Sequence, residues 1–108
     1  MSRSFLGVFE QMVLLAILRQ GENAFGLEVR REIESSADRK VSRSAFYTTL
    51  DRLEKKGYVS WTPMESENSH RTAPIRLFAV TEAGRAALRD SHQALKTLWD
   101  GMETAVEQ

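Results

Sequence analysis

The chain has 108 residues, 42% of them hydrophobic, enough for a single core without disulfides or metals. Its 15 basic and 15 acidic residues cancel, so any electrostatic function must rest on where the charges sit rather than on their sum. The absence of cysteine excludes a disulfide framework, a thiolate zinc site and a cysteine nucleophile, and is compatible with a reducing compartment.

The N-terminal stretch MSRSFLGVFEQMVLLAILRQ is apolar, but Glu10 and Gln11 interrupt it. It is too short and amphipathic to span a bilayer and lacks a small-residue cleavage site. It reads as a buried helix over Phe5 to Arg19 of a cytoplasmic protein with no membrane partner. Phe9, Met12, Val13, Ala16 and Ile17 form its core side, and Gly21 stops it. Asn23 suits the N-cap of a second helix in which Phe25, Val29 and Ile33 recur every four residues. The polar run Glu34 to Lys40 is a turn before the third helix.

Val41 to Val59, VSRSAFYTTLDRLEKKGYV, is the most informative segment. Ser42 is a polar N-cap, Gly57 a stop, and Phe46, Leu50 and Leu53 fall at i, i+4 and i+7, a buried stripe. At about 100° per residue, Ser44, Thr48, Asp51 and Lys55 lie opposite, with Tyr47 and Arg52 on the flanks. Small hydroxyls, a tyrosine and basic side chains suit a helix laid in the DNA major groove, where they reach phosphates and base edges. An ordinary solvated face is the alternative. From Val41 to Ser60, Arg43, Arg52, Lys55 and Lys56 outnumber Asp51 and Glu54, whereas acids gather in Glu22 to Asp38 and at Glu103 and Glu107. The local excess is small and predicts modest, salt-sensitive non-specific affinity.

Tyr58 to Thr62 reads as a strand, Pro63 to Ala73 as a polar loop, and Pro74 or Ile75 to Val80 as a second strand. Together they make a hairpin beside the third helix, a wing. Thr81 caps a final helix, with Glu82 in its first turn. Along that helix Leu88, His92, Leu95, Trp99, Met102 and Val106 alternate four and three apart, the spacing of a helix–helix seam. The helix either folds back on its own domain or meets a second copy; the seam favours a two-fold homodimer. The fold class is mainly α with a small β-hairpin: a winged helix-turn-helix over 1–80, followed by a dimerisation helix over 81–108.

Four segments carry a resemblance: LGVFEQMVLLAIL (Leu6 to Leu18), FGLEVRREIE (Phe25 to Glu34), SAFYTTLDRLEKKGYV (Ser44 to Val59) and VTEAGRAAL (Val80 to Leu88). With them the chain resembles, over nearly its whole length, the PadR-like transcriptional regulators of the short type, with a single C-terminal helix. The last two segments are specific in combination, while L-x-x-L-x-x-x-G followed by an apolar residue is shared with MarR-like and ArsR-like proteins. The resemblance implies a homodimeric bacterial repressor whose third helices enter successive major grooves of a palindromic operator, with wings on the flanking backbone or minor groove.

Carried over by position, the resemblance implies contacts to double-stranded DNA from Ser42, Arg43, Ser44, Tyr47, Thr48 and Arg52, with Lys55 and Lys56 on phosphate. Asp51 is awkward on that face unless it accepts from a cytosine or, as preferred, pairs with Lys55 at i+4. Tyr47 either faces DNA or packs its ring on the first helix. The wing departs from the pattern: HRTAPIRLFAVT places Leu77 and Phe78 where similar proteins carry tyrosines. His70, Arg71 and Arg76 remain for phosphate, Pro74 limits pairing, and Glu65 and Glu67 weaken the positive field.

Nothing in the chain points to an enzyme or a cofactor. His70 and His92 stand in no metal-ligand spacing, and the glycines form no phosphate-cradling loop. His92 on the seam reads as packed or hydrogen-bonded, or as the basis of a pH-sensitive interface. Trp99 and its symmetry mate are either interface core or an effector slot for a flat aromatic compound, with Met12 and Met102 as adaptable lining. Some PadR-like proteins take ligands at that interface, so the resemblance allows the slot. The competing function is a winged-helix protein-interaction adaptor without strong DNA affinity, which the neutral charge, Asp51 and the weakly basic wing favour.

Overall fold

The computed structural model describes residues 5–64 and 75–108. Its elements are α1 (Val8–Gln20), a short 3-10 turn (Gly21–Asn23), α2 (Gly26–Ser36), α3 (Arg43–Lys55), β1 (Val59–Met64), β2 (Ile75–Val80), α4 (Glu82–Trp99) and α5 (Glu103–Glu107). The architecture is mostly helical with one antiparallel hairpin, the winged-helix order that the pattern predicts.

α1 begins three residues later than the apolar run suggests. Gly7 takes an extended N-cap conformation and donates its N–H to Glu10 Oε1 over 2.9 Å, while the Leu6 N–H donates to Ser91 Oγ of α4 over 2.9 Å. The residues before α1 are therefore tied to α4 and do not extend the helix. Val13, Leu14, Ala16 and Ile17 are buried, with Phe9 and Met12 packed partly against the core. α1 is covered on more sides than its one-stripe reading implies, and Val8 and Leu15 are left facing out.

Phe25, not Asn23, is the N-cap of α2. The Phe78 N–H donates to Ala24 O over 2.9 Å and Phe25 bridges to Leu77, while the Phe25 N–H donates to Asn23 O in a tight turn at Ala24, so β2 holds Phe25 extended just before Gly26. α2 runs through Ser36, three residues into the predicted turn. Arg30 Nη2 donates to Val41 O over 3.3 Å, and the Val41 N–H donates to Glu34 Oε2 over 3.0 Å, which closes the link to α3.

α3 matches its predicted pattern. Ser42 Oγ accepts from the Ala45 N–H over 3.1 Å, and Phe46, Leu50 and Leu53 are buried with Val13, Leu14 and Val29 at the centre of the core. At its end the Tyr58 N–H donates to Leu53 O and the Gly57 N–H to Glu54 O, with Gly57 at φ 81°: a Schellman stop in which glycine supplies the left-handed residue.

β1 and β2 pair in register from Val59↔Val80 to Met64↔Ile75. Pro63 and Met64, predicted as loop, belong to β1. Proline is tolerated because its strand has a single partner in this ribbon. The predicted wing loop beyond Met64, with His70, Arg71 and Pro74, lies outside the described residues. Thr81 caps α4, accepting from the Gly84 N–H over 3.0 Å and donating to Gly57 O over 2.6 Å. At Gly84 the helix backbone comes so close to Tyr58 O that a Cβ would collide with it.

The continuous C-terminal helix is corrected. α4 stops at Trp99, and Trp99–Met102 forms a turn: Asp100 at φ −55°, ψ 119°, Gly101 at φ 79°, and the Met102 N–H donating to Trp99 O over 2.8 Å. These are the angles of a type II turn, which demands glycine at its third residue. The Asp-Gly pair overrides the seven-residue spacing, so Met102 and Val106 do not continue the helical line of Leu88 to Trp99.

Candidate nucleic-acid interface

The outer face of α3 is assembled as its periodicity implies. Ser42, Arg43, Ser44, Thr48, Asp51, Arg52 and Lys55 are all exposed on one helix whose opposite side is locked into the core. Tyr47 is half-buried. Its ring stands edge-on to Phe46 at 5.2 Å and 77°, and its hydroxyl rests against Gly26, where a Cβ would clash. The ring therefore packs on the start of α2, not on α1 as one sequence reading had it. Only glycine at position 26 leaves room for this.

Between the start of α2, the flank of α3 and β2 lies a groove of about 670 Å³, lined by Glu28, Arg30, Arg43, Tyr47, Asp51 and Arg76 among others. Three guanidinium groups against two carboxylates make it locally basic in a chain of zero net charge. Arg43 and Arg76 lie 5.6 and 5.7 Å from the centre of the Tyr47 ring, close enough for cation–π attraction.

The preferred Asp51–Lys55 pair is not formed. Among the described residues no cation lies within ion-pairing distance of Asp51, which lines the groove instead. Lys56 is engaged elsewhere: its Nζ donates to Glu10 Oε2 over 2.8 Å, tying the end of α3 to α1. Burial acts to raise the Glu10 carboxyl. The hydrogen bonds from Lys56 and the Gly7 N–H, with the charges of Lys56 and Arg52, outweigh it and hold the group below its ordinary value.

Two residues beside α3 escape a sequence reading, Arg30 in the groove and Trp61 outside its lining. Arg30 occupies the inner flank of α2, and its Nε is buried without a partner among the described residues. Trp61 reads as an ordinary strand aromatic, yet its indole N–H donates to Glu54 Oε1 of α3 over 3.1 Å. Neither leaves a signal in spacing, because each is brought to α3 by the packing of another element. His70 and Arg71 lie outside the described residues.

α4 begins packed on the domain and ends exposed, in a molecule whose longest extent is 55 Å. Leu88 is only 9% exposed, so the first position of the predicted seam sits in the domain's own core, along with Ala87 and Ser91. Beyond it, His92 is exposed, Leu95 is 46%, Trp99 45% and Leu98 73% exposed, as are Met102 and Val106 past the turn. Leu98, which the heptad reading omits, is the most exposed of these apolar residues. A cleft of about 440 Å³ between α1 and α4 continues the surface, with Leu15, Leu18 and Leu88 as its apolar wall and Arg85, Arg89 and His92 at its rim. Among the described residues no helix is long and apolar enough to cross a membrane.

The family model described as the transcriptional regulator PadR-like family matches residues 14–90, well over half of the chain. No curated protein matches it. Among solved structures, a PadR-like transcription factor from Bacteroides fragilis is 21% identical, with TM-score 0.74 and 92% of this chain and 90% of that chain covered. A PadR family transcription regulator from Clostridium difficile is 15% identical, with TM-score 0.70 and 91% and 98% covered. RosR of H. salinarum is 25% identical, with TM-score 0.65 and 94% and 91% covered. The first two likenesses establish the fold, and the family match goes further: the chain belongs to the PadR-like family of transcriptional regulators.

Proposed function

We propose that the protein is a homodimeric repressor that binds a palindromic operator through α3. The observation that carries this reading is the exposed hydroxyl- and arginine-rich face from Ser42 to Lys55, bordered by an arginine-lined groove. Ser42, Arg43, Ser44, Tyr47, Thr48 and Arg52 would meet bases and adjacent phosphates, Lys55 phosphates alone, and His70 and Arg71 the flanking backbone, whereas Lys56 is held by Glu10. A second copy would cover Leu95, Leu98 and Trp99, with Met102 and Val106 beyond the turn, and pair two recognition helices about one duplex turn apart. Division into a DNA-binding unit over 1–80 and a dimerising segment over 81–108 follows from this reading. Trp99, half exposed at the end of α4, is where a flat aromatic effector would enter.

The test is selection of bound fragments from genomic DNA by the purified protein, followed by titration across salt concentrations. Specific binding predicts a motif with two-fold symmetry and log affinity falling linearly with log salt through several released counterions. Formal neutrality and the uncompensated Asp51 favour the adaptor reading, which predicts no measurable binding to those fragments even at low salt.

A further inference from the structure

Side chains of both hairpin strands reach the recognition helix. Trp61 of β1 is hydrogen-bonded to Glu54 of α3. One β2 side chain, Arg76, lies among three rings: 5.7 Å from Tyr47 of α3, 5.4 Å from Trp61 and 5.3 Å from Phe78. The strand register explains the gathering. Trp61 pairs with Phe78 and Pro63 with Arg76, so Trp61, Phe78 and Arg76 occupy one face of the ribbon, the face toward α3. Tyr47, the helix's contribution, is itself fixed between Phe46 and Gly26.

We propose that Arg76 is a positioning residue: its guanidinium, held among Tyr47, Trp61 and Phe78, clamps the wing onto α3 and fixes the Tyr47 ring against the start of α2. The charge of Arg76 suggests a phosphate contact, but a guanidinium engaged with three rings is not free to swing out to the backbone of a duplex. Arginine suits the clamp because its cation is planar and weakly hydrated, and stacks where a lysine ammonium prefers water. The consequence for DNA rests on the repressor reading above, whereas the clamp itself is a property of the free protein and is measurable without DNA.

The experiment has two arms. In urea unfolding of the free protein, Arg76→Met, Tyr47→Leu and the double variant form a cycle. The clamp predicts non-additivity, the unfolding equilibrium constant of the double variant rising about threefold less than the product of the two single increases. Should Tyr47→Leu fail to fold, Trp61→Leu replaces it in the same cycle. In the second arm, binding to a short mixed-sequence duplex is titrated with salt. Arg76→Met and Arg76→Lys should both weaken binding several-fold with the salt slope unchanged. Additive unfolding losses overturn the clamp. So does a slope that falls by about one in Arg76→Met while Arg76→Lys binds like the parent, the behaviour of a phosphate contact. If the parent protein shows no salt-dependent binding, the repressor reading fails, and the unfolding cycle alone decides the clamp.

Discussion

Arg43 stands at the first turn of α3, exposed, with its guanidinium near the Tyr47 ring and the groove beneath it. It fills no core space, so Arg43→Ala should leave the unfolding midpoint unchanged while costing about 1–3 kcal/mol of operator affinity, read by anisotropy on a selected fragment. Unchanged operator affinity would remove Arg43 from the interface. Gly84 is the reverse case, with no part in DNA contact. A Cβ there meets the Tyr58 carbonyl, backbone against backbone, so Gly84→Ala should destabilise the fold by roughly 1–3 kcal/mol in urea despite alanine's higher helix propensity. Glu10 adds a pH signature. Its carboxyl is held below its ordinary value of 4.5 in the folded chain, so its contribution to stability is present above that value and is lost as pH falls through the lower folded-state value. The stability difference between the parent and Glu10→Gln should therefore shrink on acidification past about pH 4.5; a difference that stays constant into acid would deny the Lys56–Glu10 link that role.

At the scale of elements, the informative break is between α4 and α5. A glycine inside a continuous helix and a glycine at φ 79° respond oppositely to alanine. In the first case Gly101→Ala stabilises by about 0.8–1 kcal/mol; in the second it introduces left-handed strain and destabilises. A lower thermal midpoint with unchanged helical circular dichroism is the expected outcome, and a rise in both would restore the unbroken helix. The turn also matters for association. It redirects Met102 and Val106 away from the line of Leu95 and Trp99, so in the proposed dimer a second copy would cover two short apolar segments at an angle rather than one straight seam. Midway along α4, Ser91 accepts from the Leu6 N–H just before α1, and the Lys56–Glu10 pair ties α1 to the end of α3.

For the whole molecule, the exposed apolar surface and the basic groove lie on different elements: Leu15, Leu95, Leu98 and Trp99 on α1 and α4, Arg30, Arg43 and Arg76 on α2, α3 and β2. A single copy leaves the first set in water, which monomers rarely tolerate as a contiguous patch. Leu95→Asp combined with Leu98→Asp should convert a dimer into monomers in sedimentation equilibrium. It should also lower affinity for a two-fold operator by orders of magnitude while sparing binding to a half-site, because linked binding of two heads depends on the dimer. Dimers that survive both substitutions would place the interface elsewhere.

The helical periods, the Ser42 and Thr81 caps, the Gly57 stop and the buried stripe Phe46, Leu50, Leu53 were all readable in the chain, because each depends on residues within one or two turns of one another. The hairpin strands were readable to within two residues for the same reason. What needed the tertiary structure was every feature set by a distant element: the Ala24–Phe25 segment held by β2, the Tyr47 ring seated on Gly26, Lys56 drawn to Glu10, and Arg76 enclosed by rings from α3, β1 and β2. The Asp100–Gly101 turn is the exception, a local signal masked by a longer repeat. Local backbone preferences act through neighbours in sequence, so they are written in the chain. Packing partners are chosen by three-dimensional proximity, which no spacing of residues encodes by itself.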